Sequence, residues 1–212
     1  MAEAVTQAID RYTARTFQSY DGTRFYSGDG GTLLLVDDLV SVGTLSEDDN
    51  MDGTFDVNWA ANDYLTRPFN ADPTSEWGRP ITSLQVSPKS NGTQDEFLAG
   101  PRRYRIIGTF GWTSVTRSAG ASASGSWDST ATTLVASTVG VEPGMTILVD
   151  TERMYVESTV TTTLTVRRAQ QNSVAGTHAS ATAINYYVYP APIIEAAFMQ
   201  VARLWQRRNS GF

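Results

Sequence analysis

The sequence predicts an α+β fold: a small helical bundle core formed by the N- and C-terminal helices, β-hairpin elements, and an inserted all-β domain. Apolar residues recur at helical spacing near both ends of the chain. Between the ends, short apolar runs alternate with polar residues and are interrupted by glycine and proline, which is typical of strands. At 212 residues, the chain is long enough to bury a sizeable core.

The clearest helical segment follows Tyr189-Pro190-Ala191-Pro192 and continues to Arg208. Proline suits the first turn of a helix, and basic residues suit its last turn. The apolar positions of this segment repeat every three or four residues and form one stripe. Because a short helix is only marginally stable in water by itself, the stripe needs an apolar partner.

Residues 2–18 show the same periodicity and end at a turn signal, Ser19–Gly22. This segment is the natural packing partner of the terminal helix. The predicted core packing between the two helices involves Val5, Ile9, Tyr12, Ile194, Phe198 and Val201.

The residue pattern in the middle of the chain predicts strands. Residues 32–36 read as a buried strand, residues 40–45 and 55–59 alternate as half-buried strands, and residues 104–112 form a strand that ends in aromatic residues. Residues 87–101 are polar and contain glycine, and this composition predicts an exposed loop.

The composition changes after Val115. Residues 116–130 are almost entirely Ser, Ala, Gly and Thr, which predicts a flexible connector, and the Thr- and Val-rich residues that follow predict several short strands. Because the terminal helix lies beyond this region, the region is interpreted as an insertion. The predicted domains are a helical and β core, 1–115 with 188–212, and a small β-sandwich or barrel-like domain, 116–187.

Composition also excludes some classes of site. With no cysteine, the chain has no disulfide framework, thiolate metal site or cysteine nucleophile. Its net charge of −6 argues against a surface that grips nucleic acid through phosphates. No apolar run approaches the roughly 20 residues that cross a bilayer. No membrane partner is therefore expected.

Two charged knots stand out. The acidic knot is the cluster of acids in residues 47–52, and the basic knot is residues 102–105, which include three arginines. They are either two solvated loops or two faces of a self-associating ring, and the acidic knot could instead line a channel in which DNA slides without adhering. The acidic candidates for a channel lining are Glu47, Asp48, Asp49 and Asp52.

The residues suited to catalysis or metal binding are few. His178 is the only histidine. Asp150 and Glu152 alternate, so they could form a carboxylate pair for glycoside hydrolysis, a calcium site, or an ordinary surface strand end. Residues 48–53 resemble a calcium loop, but position 59, where that pattern needs a glutamate, is Trp59. No catalytic residue, cofactor or metal is assigned.

When the two sides of the insertion are joined, the chain resembles the C-terminal half of the head–tail connector (adaptor) proteins of tailed phages of the siphophage type. The resemblance is carried by Gly108–Trp112, Val188-Tyr189-Pro190 and Leu204–Arg208. Thr13–Phe17 and Asp63–Pro68 are similar to the opening and the middle of that family.

Residues 130–188 are similar to a short β module that is common in phage structural proteins. The likeness rests on Gly144–Glu152 and on Gly176-Thr177-His178, while Arg168-Ala169 replaces the Arg-Gly step of that module.

The resemblance implies a virion structural protein and not an enzyme. Such adaptors form a dodecameric ring beneath the portal, extend the DNA channel, let double-stranded DNA pass without specific binding, and dock the next head-closure (stopper) or tail protein. The ring would be assembled in the host cytoplasm and reside at the head–tail interface of the virion. The candidate portal-contacting residues are Trp205, Arg207, Arg208 and Phe212.

Two alternatives stay open. One is a β-rich carbohydrate-binding virion protein that recognises the host surface. The other is a glycosidase that uses Asp150 and Glu152, which requires both acids in a pocket.

Overall fold

The computed structural model describes residues 2–76, 78–88 and 94–209. The chain divides into two compact units: unit 1 is Met1–Thr113 with Tyr189–Phe212, and unit 2 is Ser114–Val188. Each unit has its own six-stranded antiparallel sheet and its own hydrophobic core. The fold is therefore mostly β.

The described residues of unit 1 form two helices and six strands. In its sheet the strands run in the order β1-β6-β2-β5-β4, and β3 pairs with β2. The elements are α1 (Ala2–Thr13), β1 (Tyr20–Gly28), β2 (Leu33–Glu47), β3 (Val57–Trp59), β4 (Tyr64–Arg67), β5 (Ile81–Val86), β6 (Gly100–Phe110) and α2 (Ala191–Asn209).

The core of unit 1 is built by strands. The side chains of β2, β5 and β6 that face the core are at most 9% exposed, because alternate residues of a strand point to one face. The fully buried members include Leu34, Leu39, Leu84, Ile106 and Phe110. The strands, and not the helices, therefore supply most of the buried apolar side chains of unit 1.

The prediction of a helical bundle core is wrong. The structure has two α-helices, of 12 and 19 residues, beside twelve strands in the part of the chain that it describes. Both helical stripes exist, but a stripe shows only that a helix has an apolar face. The alternating residues of β2 and β6 supply the larger apolar surface, so the sheet holds the core.

The predicted core packing between the helices also needs correction. The two helices do contact each other, and Val5 is buried. Ile9 and Val201 are half-buried, whereas Tyr12 is 93% exposed and Ile194 is exposed. Phe198, at 69% exposed, lies outside the core as well. The helices meet along one edge of their apolar surfaces and leave the rest in solvent.

Unit 2 is all β apart from one short 3₁₀ turn, Gln170–Asn172. Its strands run in the order β7-β12-β9-β10-β11-β8. They are β7 (Thr116–Ser122), β8 (Thr133–Val135), β9 (Thr146–Val149), β10 (Glu152–Val160), β11 (Thr163–Arg167) and β12 (Ala183–Tyr187).

The predicted flexible connector is part of this sheet. Residues 116–122 form β7, which pairs antiparallel with β12. Ala121 and Ala123 are buried, and Trp127 is buried in the core of unit 2. Small residues therefore pack closely against the sheet here and do not make a linker.

The predicted exposed loop at 87–101 also differs from the structure, although residues 89–93 lie outside the described part. Phe97 is completely buried and stacks on Trp59, with ring centroids 4.6 Å apart. Tyr104 meets both rings edge-on. This aromatic trio fastens the loop to the sheet of unit 1.

Candidate functional site

The outward surface of α2 is the most unusual feature of unit 1. None of the α2 side chains that the structure describes, residues 191–207, is buried. Four apolar residues at intervals of four, three and four lie on one stripe of the helix. This helix stripe consists of Ile194, Phe198, Val201 and Trp205.

The helix stripe is exposed to an extent that is uncommon for large apolar side chains. Phe198 is 69% exposed and Trp205 is 55% exposed. Met199 and Leu204, on either side of the stripe, are also exposed. A contiguous exposed apolar surface on a folded protein marks an interaction site more often than chance, because each aromatic side chain that is covered removes a large apolar area from water.

A second apolar surface lies on the sheet of unit 1. Leu33 and Leu65 are both paired with Gln85, and Leu35 lies two residues beyond Leu33 on β2. Directly opposed residues share a face, so the three leucines project from the same side of the sheet. We call this surface, formed by Leu33, Leu35 and Leu65, the leucine face.

The leucine face lies on the side of the sheet opposite the core. Leu34, between the two leucines of β2, points into the core and is 1% exposed. By contrast Leu35 is 71% exposed, and the other two members are also exposed. The prediction of one buried strand over residues 32–36 is therefore wrong in part, because only Leu34 of these residues is buried. The pairing of these residues with polar Gln85 and Ser83 is what distinguishes the two faces, and it becomes visible only in the sheet.

Only part of the acidic knot is exposed to solvent. The Glu47 carboxylate is 1% exposed and accepts hydrogen bonds from Trp59 Nε1 at 3.0 Å and from the Tyr104 hydroxyl at 3.1 Å. Asp48 is also buried, whereas Asp49 and Asp52 are exposed. The prediction that Glu47 and Asp48 line a channel is therefore corrected, because their carboxylates are enclosed within unit 1.

The acidic and basic knots are neighbours and not two separate faces. Arg103 is buried and donates to the backbone carbonyl of Asp49, and its own carbonyl accepts from the Asp48 amide at 2.8 Å. A guanidinium nitrogen of Arg103 lies 3.9 Å from the carboxylate of Glu47. The two knots are thus joined inside one unit through Arg103.

The loop that resembles a calcium site uses its oxygens internally. Asp48 accepts from the backbone amides of Asp52 at 3.1 Å and Gly53 at 2.9 Å, and Asn50 accepts from Asp52 at 3.0 Å. These bonds are those of an Asx turn, in which side chains replace backbone partners. Within residues 2–76, 78–88 and 94–209, no three acidic or histidine side chains form a group able to hold a metal ion.

In unit 2, the buried side chains of Glu152, Arg168 and His178 form one network with Asp150, whose side chain is 57% exposed. His178 Nδ1 lies 2.7 Å from Asp150, and its Nε2 lies 2.9 Å from Glu152. Arg168 donates two hydrogen bonds of 2.7 Å to the carboxylate of Glu152. The backbone amides of Ala169 and Gly176 donate to the same carboxylate.

This network does not have the form of a glycosidase site. Glu152 is 1% exposed and already accepts from five donors, so it offers no open position to a substrate. Burial by itself raises the pKa of Glu152, but the hydrogen bonds from Arg168, Gly176, His178 and Ala169 outweigh burial and lower the pKa to about 2. A carboxylate with that pKa stays ionised near neutral pH and cannot act as a general acid. The network instead joins three loops of unit 2.

Unit 1 also contains a cleft of about 460 Å³ beside the end of α1. It holds two ion pairs, Arg15 with Asp38 at 2.8 Å and Arg24 with Asp37. The guanidinium of Arg15 rests on the ring of Trp112. Because each arginine is matched by an aspartate, the cleft presents balanced charge and no concentrated site for an anion.

The candidate portal-contacting residues lie at the end of α2. Trp205 belongs to the helix stripe, and Arg207 is exposed. The side chain of Arg208 and the whole of Phe212 lie outside the part of the chain that the structure describes. Their role in docking stays a prediction.

Comparison with known proteins gives no family assignment: no protein-family model, curated protein or solved structure matches the chain. In the described residues, neither helix combines the length and the apolar character that a membrane span requires. The case for function therefore rests on the two exposed apolar surfaces of unit 1 and on the resemblance drawn from the sequence.

Proposed function

We propose that this protein is a structural head-to-tail adaptor of a tailed phage, which assembles as a ring under the portal and docks the next connector or tail protein. The observation that carries the proposal is the helix stripe of α2. This helix of 19 residues contacts α1, yet none of its side chains among residues 191–207 is buried, and three of the four members of the stripe are exposed.

The remaining chemistry of the chain supports a structural role. The two most strongly buried carboxylates, Glu47 and Glu152, are each fully engaged by donors of their own unit. Such groups rigidify a fold and do not meet a substrate. The helix stripe and the leucine face are exposed and apolar, and apolar surface is the main driving force for association between protein subunits.

The proposal predicts a closed ring around a channel. We expect the purified protein to form a homo-oligomer, with twelve copies as implied by the family resemblance, and to bind a ring of the portal protein encoded in the same genome. Light scattering coupled to size-exclusion chromatography gives the mass of the oligomer. Negative-stain electron microscopy of the protein alone, and of its mixture with the portal, shows whether the particles are rings and whether they stack on the portal.

The contrary result is equally clear. A protein that remains a small oligomer, ignores the portal ring and binds to a glycan array would support the alternative of a carbohydrate-binding virion protein. In the adaptor, substitutions in unit 2 should leave portal binding intact, since the helix stripe belongs to unit 1.

A further inference from the structure

We infer that the helix stripe of one copy docks onto the leucine face of the next copy, so that the ring closes through a head-to-tail contact. The inference rests on the proposed function, because it names the interface of the proposed ring. Both surfaces belong to unit 1, and in the single chain Phe198, Trp205 and Leu35 are each more than half exposed.

The shapes of the two surfaces suit each other. Leu33 and Leu65 lie in one row across β2, β5 and β4, and Leu35 lies in the next row. An apolar sheet face is commonly covered by a helix that lies across it with one apolar stripe. The helix stripe supplies such a face, with Phe198 and Trp205 as its two large anchors.

Charge favours this pairing over a contact between two α2 helices. Helix α2 carries three arginines and one glutamate, a net charge of +2. Since the whole chain carries −6, the remainder carries −8, so α2 of one copy is attracted to the body of another. Two α2 helices placed side by side would instead bring two positive helices together.

The symmetry consequence is a ring. When two different patches of the same chain bind each other, every copy offers one free patch of each kind, and the assembly closes into a ring when the rotation between copies returns to the first copy. A contact between two identical patches would stop at a dimer. The heterologous contact between the helix stripe and the leucine face is thus the kind of interface that an adaptor ring requires.

Two variants test the inference. The helix variant carries Phe198→Ser and Trp205→Ser, and the sheet variant carries Leu33→Ser and Leu35→Ser. All four side chains are exposed, so the far-UV circular dichroism and thermal midpoint of each variant should match those of the unaltered chain. A matched control, Val174→Ser in unit 2, removes an apolar side chain that is 82% exposed and should leave the ring unchanged.

We expect each variant alone to lose the ring, with its dissociation concentration raised by at least about tenfold, because the helix variant removes both aromatic anchors and the sheet variant removes two of the three leucines that they would cover. Mixed in equal amounts, the two variants keep one intact surface each. At the concentration at which the unaltered chain is assembled, sedimentation velocity should show a complex of two chains, one of each variant, and nothing larger.

Three results would overturn the inference. Rings formed by the helix variant or by the sheet variant would show that the altered surface is not the interface. Dimers of the sheet variant alone would show pairing between α2 helices, and a mixture that stays monomeric would remove the head-to-tail contact. If rings persist and still bind the portal, the inference fails while the proposed function stands. An unaltered chain that forms no ring and ignores the portal contradicts the proposed function itself.

Discussion

Arg168 holds Glu152 with two hydrogen bonds of 2.7 Å, and both side chains are buried in unit 2, at 7% and 1% exposed. Arg168 also donates to the carbonyls of Asp128, Ala131 and Gly176, so one guanidinium ties two further segments of unit 2, the turn at 128–131 and the loop at Gly176, to β10. A forked arginine–carboxylate pair with additional acceptors is the geometry in which a buried ion pair is best satisfied.

Replacement of Glu152 should destabilise unit 2. In Glu152→Gln the charge that balances Arg168 is lost while the guanidinium stays buried, and breaking a buried pair in this way costs about 3–5 kcal/mol of unfolding free energy. The measurement is hydrogen exchange by mass spectrometry, in which peptides from 114–188 should exchange faster and peptides from β1, β2 and β6 should not. The control is Glu157→Gln, whose exposed pair with Arg167 should contribute less than about 1 kcal/mol. Equal effects of the two substitutions would contradict the prediction.

The same carboxylate should make unit 2 sensitive to acid. The pKa of Glu152 is about 2 in the folded chain and near its ordinary value of 4.5 when unfolded. A lowered acid pKa stabilises the fold at pH values above 4.5, and this stabilisation is lost as the pH falls from about 4.5 towards 2. Thermal unfolding at a series of pH values should show this loss in the unaltered chain. In Glu152→Gln the slope in that window should be smaller, and an unchanged slope would assign the acid sensitivity to other groups.

Truncation of Phe97 should destabilise unit 1 strongly. Phe97 is completely buried between Trp59 and Tyr104, so Phe97→Ala loses the stacking and leaves a cavity, at a cost of about 3–5 kcal/mol. Urea unfolding followed by circular dichroism gives the change. Phe69→Ala is the matched control, because Phe69 is 62% exposed and its loss should cost less than about 1 kcal/mol. A similar midpoint for both variants would mean that the segment around Phe97 is not fixed to the sheet.

A methyl group at Gly28 should not fit. A Cβ built there would lie 2.0 Å from the Leu98 carbonyl oxygen, which is backbone and cannot move aside cheaply. We expect Gly28→Ala to lower the unfolding free energy by about 1–3 kcal/mol. At Gly176 an added Cβ meets nothing within 4 Å, so Gly176→Ala serves as the control and should be nearly neutral. Thermal midpoints of the two variants decide the matter, and a neutral Gly28→Ala would refute the close approach of β1 to Leu98.

Unit 2 should fold when expressed alone as residues 114–188. It has its own core, which includes Trp127, Ile147, Val149 and Ile184, and its buried ion pairs lie within those residues. Trp127 is the only tryptophan in this segment, so its fluorescence reports the unfolding of unit 2 directly. A single cooperative transition in urea is expected, whereas a gradual change without a plateau would mean that unit 2 depends on unit 1.

Several elements followed from the sequence because their signals are local. The alternation at 40–45 predicts a strand that the structure includes in β2, and the proline-led apolar repeat after Tyr189 predicts α2. The structure differs from the prediction at residues 116–130, which were predicted as a linker, and at Phe97, which lies in a segment predicted as an exposed loop. Alanine and serine are compatible with both a linker and a closely packed strand, and a single aromatic residue in a polar segment carries no periodicity.

The partners of charged residues could not be predicted in the same way. Glu47 looks like its acidic neighbours in the sequence, yet it is buried because Trp59 and Tyr104 supply donors from other strands. Likewise Asp150 and Glu152 alternate as a surface pair would, and only the approach of Arg168 and His178 makes Glu152 the centre of a buried network.

By itself, the sequence determined where the chain forms helices and most strands, that α2 has an apolar stripe, and that no cysteine chemistry is possible, because these properties depend on residue type and short-range spacing. Only the tertiary structure decided that sheets and not helices hold the two cores, which acids are buried, and that the helix stripe and the leucine face remain in solvent. The physical reason is that burial depends on which distant strands pair, and a stripe of apolar residues cannot specify whether its partner belongs to the same chain or to another copy.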